Sequence, residues 1–334
     1  MSLAPTTLAD ARDRVRTLLA DVQPHLDRVD DRLRVELSSQ HPMIDRVLQH
    51  GVRLGGKRLR PALVLLAGEA TGGVTEGHVT LATVMEMIHT ATLVHDDVLD
   101  EASLRRHEDT VNARWGNETS VLLGDFLFSH AFTLASTLGD AGLCRAIGKA
   151  TNTVCEGELR QTLSGGDTAL SEADYFAIIE AKTAALCACC CELGARWSGA
   201  EEATVGRLSR FGMALGVAFQ IADDLLDLVA TEAGAGKTVG ADLAKRKLTL
   251  PVIHARDSLV NGPRQSLLGL LEKGDNASRR RVVEHLESVG AFGYAQQQAE
   301  RYADLAAAEL EGLPPSPAVD SLRAMARFSV RRSA

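Results

Sequence analysis

Two largely apolar stretches of this chain end in the same acidic signature, and that repetition limits what the chain can fold into. The first runs from Met85 to Leu99 and closes on His95-Asp96-Asp97-Val98-Leu99-Asp100; the second closes on Asp223-Asp224-Leu225-Leu226-Asp227. On a helix, the first and last aspartates of each signature stand one turn apart, with the middle one roughly 100° round the barrel. Three carboxylates can then converge on one edge, which makes a site for hard cations. A solubilising face would not need negative charge packed so tightly beside apolar residues, and two copies make chance a poor explanation.

Composition points to the same architecture. Aromatic residues are only 4% while alanine and leucine are abundant, which favours helices packed on helices and an all-α fold. At 334 residues the chain buries a substantial core, and no linker, fixed-period repeat or low-complexity tract divides it, so residues 1–334 are expected to form a single domain. A net charge of −8 argues against a general nucleic-acid binder, so anionic substrates would need locally placed cations. No apolar run approaches the ~20 residues of a membrane-spanning helix, and Met1 to Asp10 lacks the order of a signal peptide; a cytoplasmic location without an integral membrane segment is expected. Cys144, Cys155 and the group Cys187, Cys189, Cys190 and Cys191 resemble no disulfide framework, and the group reads as small apolar residues of a buried helix.

Residues 1–40 read as a helical packing or interface segment, amphipathic from Thr7 to Gln40. Pro42 opens a second helix that ends at Gly55-Gly56-Lys57-Arg58-Leu59-Arg60-Pro61, where two glycines free the backbone to turn and Pro61 can begin the next helix. Three cations within four residues suit a phosphate. A helix is expected from about His78 to Leu104, followed closely by Arg105 and Arg106. Further helices span Ser120 to Leu138, Leu143 to Leu163 and Glu202 to Val229, with Ser171 and Asp174 forming a helix start. Lys182-Thr183 lies in a small apolar stretch, where a lysine needs an anionic partner. The glycine-rich stretch 234–240 holds Lys237 but lacks the preceding strand and the spacing of a P-loop.

Carboxylates suit Mg²⁺, which binds through one or two of them plus substrate phosphate. Two motif helices facing each other would clamp one diphosphate, whose developing charge Lys182, Lys237 and Lys247 would help take up as it leaves. An allylic carbon is the group that can be left behind as a delocalised cation, and apolar walls would shield it from water. Released diphosphate can accept the final proton. The sequence contains no Ser-His-Asp or Cys-His arrangement for nucleophilic catalysis.

On these residues the chain resembles the trans-type polyprenyl diphosphate synthases, most strongly from Gly55 through Pro251. The ordered set is Gly-Gly-Lys-Arg-Leu-Arg-Pro at 55–61, the aspartates at 96–100, Arg105-Arg106, Gly124-Asp125, Lys182-Thr183, Phe219-Gln220, the aspartates at 223–227 and Gly236-Lys237. The resemblance implies a large helical bundle of the isoprenoid synthase type with a central active-site cavity. It implies that Lys57, Arg60, His89 and Arg106 bind the diphosphate of isopentenyl diphosphate. Asp96, Asp97, Asp100, Asp223, Asp224 and Asp227 would hold Mg²⁺, three ions per site, against an allylic diphosphate. Arg105, Lys182, Lys237 and Lys247 would contact that allylic group, with Thr183 and Gln220 beside the developing cation; a homodimer is implied as well. The chain departs from the family pattern after Arg106, where His107-Glu108-Asp109-Thr110 replaces Gly-any-Pro-Thr, so altered loop geometry is expected there. Arg246 and Leu248 replace a usual Gly and a frequent Pro, and Lys245 or Arg246 can substitute for Lys247.

Product length follows from helix geometry. Thr92 and Ile88 lie one and two turns before Asp96, and one turn rises ~5.4 Å, about one isoprene unit. A large aromatic at Ala91 or Thr92 would stop growth early, and neither is present. Met85, or Phe128 and Phe132, would form the floor. The stretch from Ile88 to Val94 resembles the long-chain members of the family, which implies a product of roughly C30 to C50, with one helical turn of wall per isoprene unit, suited to a quinone side chain. The alternatives are a geranylgeranyl (C20) diphosphate synthase and a non-catalytic regulatory subunit; a terpene cyclase has no use for Lys57, Arg60 and Arg106.

Overall fold

The computed structural model describes residues 18–56, 58–229, 243, 245, 247–273 and 276–330. Lys57, Lys237, Arg246 and the glycine-rich stretch 234–240 lie outside the described residues.

A 3₁₀ turn at Ala20–Val22 leads into α1 (Gln23–Glu36), which turns Leu26, Val29 and Leu33 inward as one stripe. Helix α2 (Pro42–Arg53) begins at proline, whose missing N–H is an orphan at that position anyway. Helix α3 (Leu59–Thr71) starts two residues before Pro61, not at it, because Arg58 takes a left-handed φ of 53° and caps the helix. Helix α4 (Glu76–Leu99) packs on α1 and α3 and is buried on every face from Gly77 to Ile88, which marks it as a central element. Its start is a capping box in which histidine replaces the usual acid: the Thr75 N–H donates to Nδ1 of His78 at 3.1 Å, so the opposite nitrogen carries the proton and donates to the Gly194 carbonyl at 3.0 Å.

The helix expected to reach Leu104 ends at Leu99. Glu101 adopts a φ of 51°, which a right-handed helix cannot continue, and the chain turns into a small antiparallel hairpin of β1 (Leu104–Arg105) and β2 (Glu108–Asp109). There follow α5 (Val111–Trp115), α6 (Asn117–Ser136), α7 (Ala141–Leu163) and α8 (Glu172–Ile179), the last opened by the expected Ser171–Asp174 capping box. A single π-helical turn at Glu180–Ala184 joins α8 to α9 (Ala185–Trp197), and α10 (Glu202–Val229) has the bounds expected of it. Helices α11 (Leu250–Ser258), α12 (Asn261–Lys273), α13 (Asn276–Ser288), α14 (Ala291–Glu309) and α15 (Pro317–Val330) complete the all-α architecture.

Helix α9 packs against α3, α4, α7 and α10, and its four cysteines are buried as expected. Burial pushes all four thiols up, away from the reactive thiolate. Helix α10 belongs to two apolar cores at once: Leu208, Phe211 and Leu215 join the core around α4 and α9, while Val217, Ile221 and Leu225 join that of α8 and α11–α14. Among the described residues, no helix is long and apolar enough to cross a membrane.

Candidate active site

The two aspartate signatures sit at the C-terminal ends of α4 and α10, and each divides its labour in the same way. In the first, Asp97 is 2% exposed, and Arg105 on the hairpin grips it, with Nε donating to both carboxylate oxygens at 3.0 Å and Nη2 at 2.7 Å. In the second, Asp224 is buried and accepts from the Tyr175 hydroxyl at 2.6 Å and from Nε2 of Gln220 at 2.7 Å. The middle aspartate of each signature is thus held inward, and Asp96, Asp100, Asp223 and Asp227 are left as the more accessible oxygens. This corrects the picture of three carboxylates converging on one edge: among the described residues no three such groups gather closely enough to seize a cation unaided. The 100° offset carries the middle side chain toward the bundle, where polar partners claim it.

Asp100 is paired as well, with Nζ of Lys245 at 2.9 Å and of Lys247 at 3.3 Å. Against burial, which works the other way, the two ammonium groups hold its carboxyl below the ordinary range. Lys245 and Lys247 therefore share one role. Asp96 behaves differently: burial, reinforced by Glu158 and Asp100 and only partly offset by Lys182, pushes its carboxyl up to about 6.

Lys182 and Thr183 lie on the π turn, and they reach opposite ways from it. Lys182 pairs with Glu158 and donates to Gln161 at 2.8 Å, both on α7; Thr183 donates to Oε1 of Gln220 on α10 at 2.8 Å. The widened turn fits because glycines flank it. A Cβ on Gly157 of α7 would stand 2.6 Å from the Lys182 backbone nitrogen, and one on Gly216 of α10 would stand 2.5 Å from Cα of Ala184. Single π turns inside α-helices recur at functional sites.

A second, cationic region surrounds His89, two turns before Asp96 on α4. Burial lowers the imidazole well below its ordinary value, and Arg60, Arg105, Arg106 and Arg58 lower it further, so the ring is neutral amid four guanidinium groups. Nε of Arg60 is buried without a partner among the described residues, a donor left for an anion. Arg106 is oriented by donating Nη1–H to the Leu54 carbonyl at 3.0 Å. Neither Gly55 nor Gly56 has a positive φ; the guanidinium groups of Arg58 and Arg106 lie 2.4 and 2.3 Å from where their Cβ atoms would be, so a side chain at either position would displace an arginine. Freedom to turn, the sequence-based explanation, is not the reason.

Arg58 stands apart from its neighbours. Its guanidinium donates to Glu86, 1% exposed on α4, at 2.6 Å and to Asp30 on α1 at 2.7 Å, so it holds α3 to the bundle and has little left for a ligand. At the hairpin turn, where the sequence departs from the family pattern, Arg106 and His107 have φ of 53° and 69°, the positive values a two-residue type I′ connection requires. Histidine tolerates that region better than most residues but less well than glycine. His107→Gly should therefore stabilise the protein by up to about 1 kcal/mol, seen as a raised urea midpoint at unchanged slope.

Among the residues called for product length, Ile88 and Ala91 are buried and Met85 is fully so, while Thr92 is half-buried and donates to the His89 carbonyl at 2.8 Å. The Phe128 ring centroid lies 6.0 Å from that of His95, level with the first signature, and Phe132 lies one turn farther along α6 against Gly148. Glu158, Gln161 and Tyr175 went unassigned in the sequence. Glu158 had a signal, the charged pair around Gly157 in a helix; Tyr175 had none.

The sequence model of the polyprenyl synthetase family matches residues 41–289. The octaprenyl diphosphate synthase of Escherichia coli (strain K12) is 37% identical over 298 residues, 89% of this chain and 92% of that protein. A decaprenyl diphosphate synthase structure from Rhodobacter capsulatus shares 36% identity and a TM-score of 0.89, covering 97% of this chain and 99% of that one. A polyprenyl synthase from Caulobacter crescentus CB15, complexed with calcium and isoprenyl diphosphate, shares 35% identity and a TM-score of 0.89 over 96% of this chain and 98% of that one.

Proposed function

The chain belongs to the polyprenyl synthetase family, and from that premise we propose that it joins isopentenyl diphosphate head-to-tail to an allylic diphosphate, repeatedly, to give an all-trans product of roughly C30 to C50 at about one isoprene unit per helical turn of channel. The observation that carries this is the placement on one helix, α4, of a cation-ringed His89 and, two turns on, the acidic signature. One region suits a diphosphate bound by arginines; the next suits a diphosphate bound through metal.

Asp96, Asp100, Asp223 and Asp227 offer the hard oxygen donors Mg²⁺ prefers, and the carboxyl of Asp96, raised mainly by burial and further by Glu158 and Asp100, is one whose charged form a cation would stabilise. Bound there, Mg²⁺ would supply the charge that makes diphosphate a leaving group. Lys182, with Lys245 and Lys247, is positioned to take up the same charge once released from Glu158 and Asp100. Arg60 and Arg106 hold the second diphosphate, with Lys57 completing the set. As the allylic C–O bond breaks, Thr183 and Gln220 present oxygens to the cation; the new carbon–carbon bond forms, and the released diphosphate takes the proton lost from the isopentenyl unit.

Incubation of the purified chain with Mg²⁺, labelled isopentenyl diphosphate and each allylic primer tests this. Products of C20 alone would establish the shorter synthase, and no product with any primer would favour the regulatory subunit. For length, Phe132→Ala should lengthen the product by one or more units and Phe128→Ala by less, because Phe128 flanks His95 and Phe132 lies a turn, ~5.4 Å, away. If neither of these nor Met85→Ala changes the product, the floor is elsewhere. A homodimer is supported by Val121, Leu122 and Phe126, exposed along α6, which a second copy would cover; a sedimentation mass of one chain would exclude it.

A further inference from the structure

The π turn, α10 and α8 are joined by a directed chain of hydrogen bonds. Thr183 Oγ1 donates to Oε1 of Gln220 (2.8 Å), Nε2 of Gln220 donates to Oδ1 of Asp224 (2.7 Å), and the Tyr175 hydroxyl donates to Oδ2 of Asp224 (2.6 Å). A carboxylate only accepts, so Asp224 fixes which end of the Gln220 amide faces it. The amide oxygen must then face Thr183, and the Thr183 proton must point at it. With its proton committed, the threonine hydroxyl has only lone pairs to offer elsewhere, the orientation that favours a carbocation and disfavours donation to it.

We propose that Tyr175 is a positioning residue for the ionisation step, acting through Asp224 and Gln220 to hold Thr183 in this orientation. The inference rests on the prenyl transfer assigned above. Tyr175 is suited to the role because it is itself fixed. It is 4% exposed, packs edge-on against Phe176 at 5.6 Å, and lies in the first turns of α8, which Ser171 and Asp174 cap. The loop entering α8 is held in turn by buried Arg256, whose Nη1 donates to the Thr168 and Leu170 carbonyls at 2.7 Å each. The hydroxyl therefore meets Asp224 at a set point, and without it the carboxylate can rotate and release the amide of Gln220.

Tyr175→Phe keeps the ring and removes only the donor. The expected result is a kcat about tenfold lower, with KM for isopentenyl diphosphate and the melting temperature nearly unchanged. The Gln220 side-chain amide, hydrogen-bonded at both ends, should exchange slowly by NMR in the parent without substrate or metal and at least tenfold faster in the variant. Thr183→Val should lower kcat similarly, and the double variant should fall little further, because both act through one chain of bonds. Multiplicative losses, an unchanged kcat, or an unchanged Gln220 exchange rate would each overturn the proposal. Should Tyr175→Phe fail to fold, 3-fluorotyrosine at position 175 replaces it: a stronger donor should leave Gln220 at least as protected, and faster exchange would refute the role. Since the parent must be active for these comparisons, an inactive parent tests the assigned reaction, and an active parent with a normal variant removes only Tyr175.

Discussion

Asp96→Asn should abolish turnover and yet make the metal-free protein more stable. The loss follows from removing one of the accessible oxygens at the first signature, and a fall of at least about a thousandfold in kcat, some 4 kcal/mol in the barrier, is expected. The gain follows from linkage. The Asp96 carboxyl rises from 3.8 to about 6 on folding, mainly through burial. Between those values the native state holds more protons than the unfolded chain, so stability falls as pH rises through the window, and above about 6 the loss is complete. Asparagine carries no such penalty. In EDTA at pH 7.5 the variant should melt above the parent, by no more than the equivalent of about 3 kcal/mol, and the difference should close as pH approaches 4. Mg²⁺ should raise the melting temperature of the parent and barely move the variant. A destabilised variant at pH 7.5 would mean that Asp96 is already compensated without metal.

Arg58→Ala should cost about 3–5 kcal/mol, more than any neighbouring substitution in its motif. Glu86 is 1% exposed, and removing the guanidinium strands a carboxylate in the core of α4. At Arg60, by contrast, a buried nitrogen stands ready for a ligand, so Arg60→Ala should weaken substrate binding with a smaller stability change. The pair Arg58→Met with Glu86→Leu should recover most of the lost stability, since a buried ion pair exchanged for apolar groups of like size is often neutral. Urea midpoints for the three variants decide it. A double variant as unstable as Arg58→Ala would show that the contact with Asp30 carries the anchoring.

The contrast between Arg58 and Arg60 shows what the sequence can and cannot disclose. Spacing placed the cations beside a turn and the aspartates on two helices, because helical period is set by the backbone. Which of two arginines faces inward depends on the left-handed cap at Arg58, and no local pattern announces it. The same holds inside each aspartate signature, where Arg105 and Tyr175 arrive from elsewhere to claim the middle carboxylate. The long elements were legible: α10 has the expected bounds, and Cys187, Cys189, Cys190 and Cys191 lie in a buried helix, whereas Cys155 on α7 is exposed. The hairpin was not, since strands of two residues have no period to read. Tyr175 gave no signal in the sequence because by burial it is core; only its hydroxyl belongs to the site.

The π turn at Glu180–Ala184 also bears on how this chain can change length. It acts as a dislocation within the otherwise regular stack from α8 into α9. Losing one residue there would restore ordinary winding and leave the helices on either side close to their present phase, because the π turn spends one residue more than an α turn on nearly the same rotation. The face carrying Cys187, Cys190 and Cys191 would keep its place in the core, but Lys182 could no longer reach α7 while Thr183 reaches α10. A single-residue deletion within this segment should thus impair turnover more than folding, although its sequence is composed of small and charged residues.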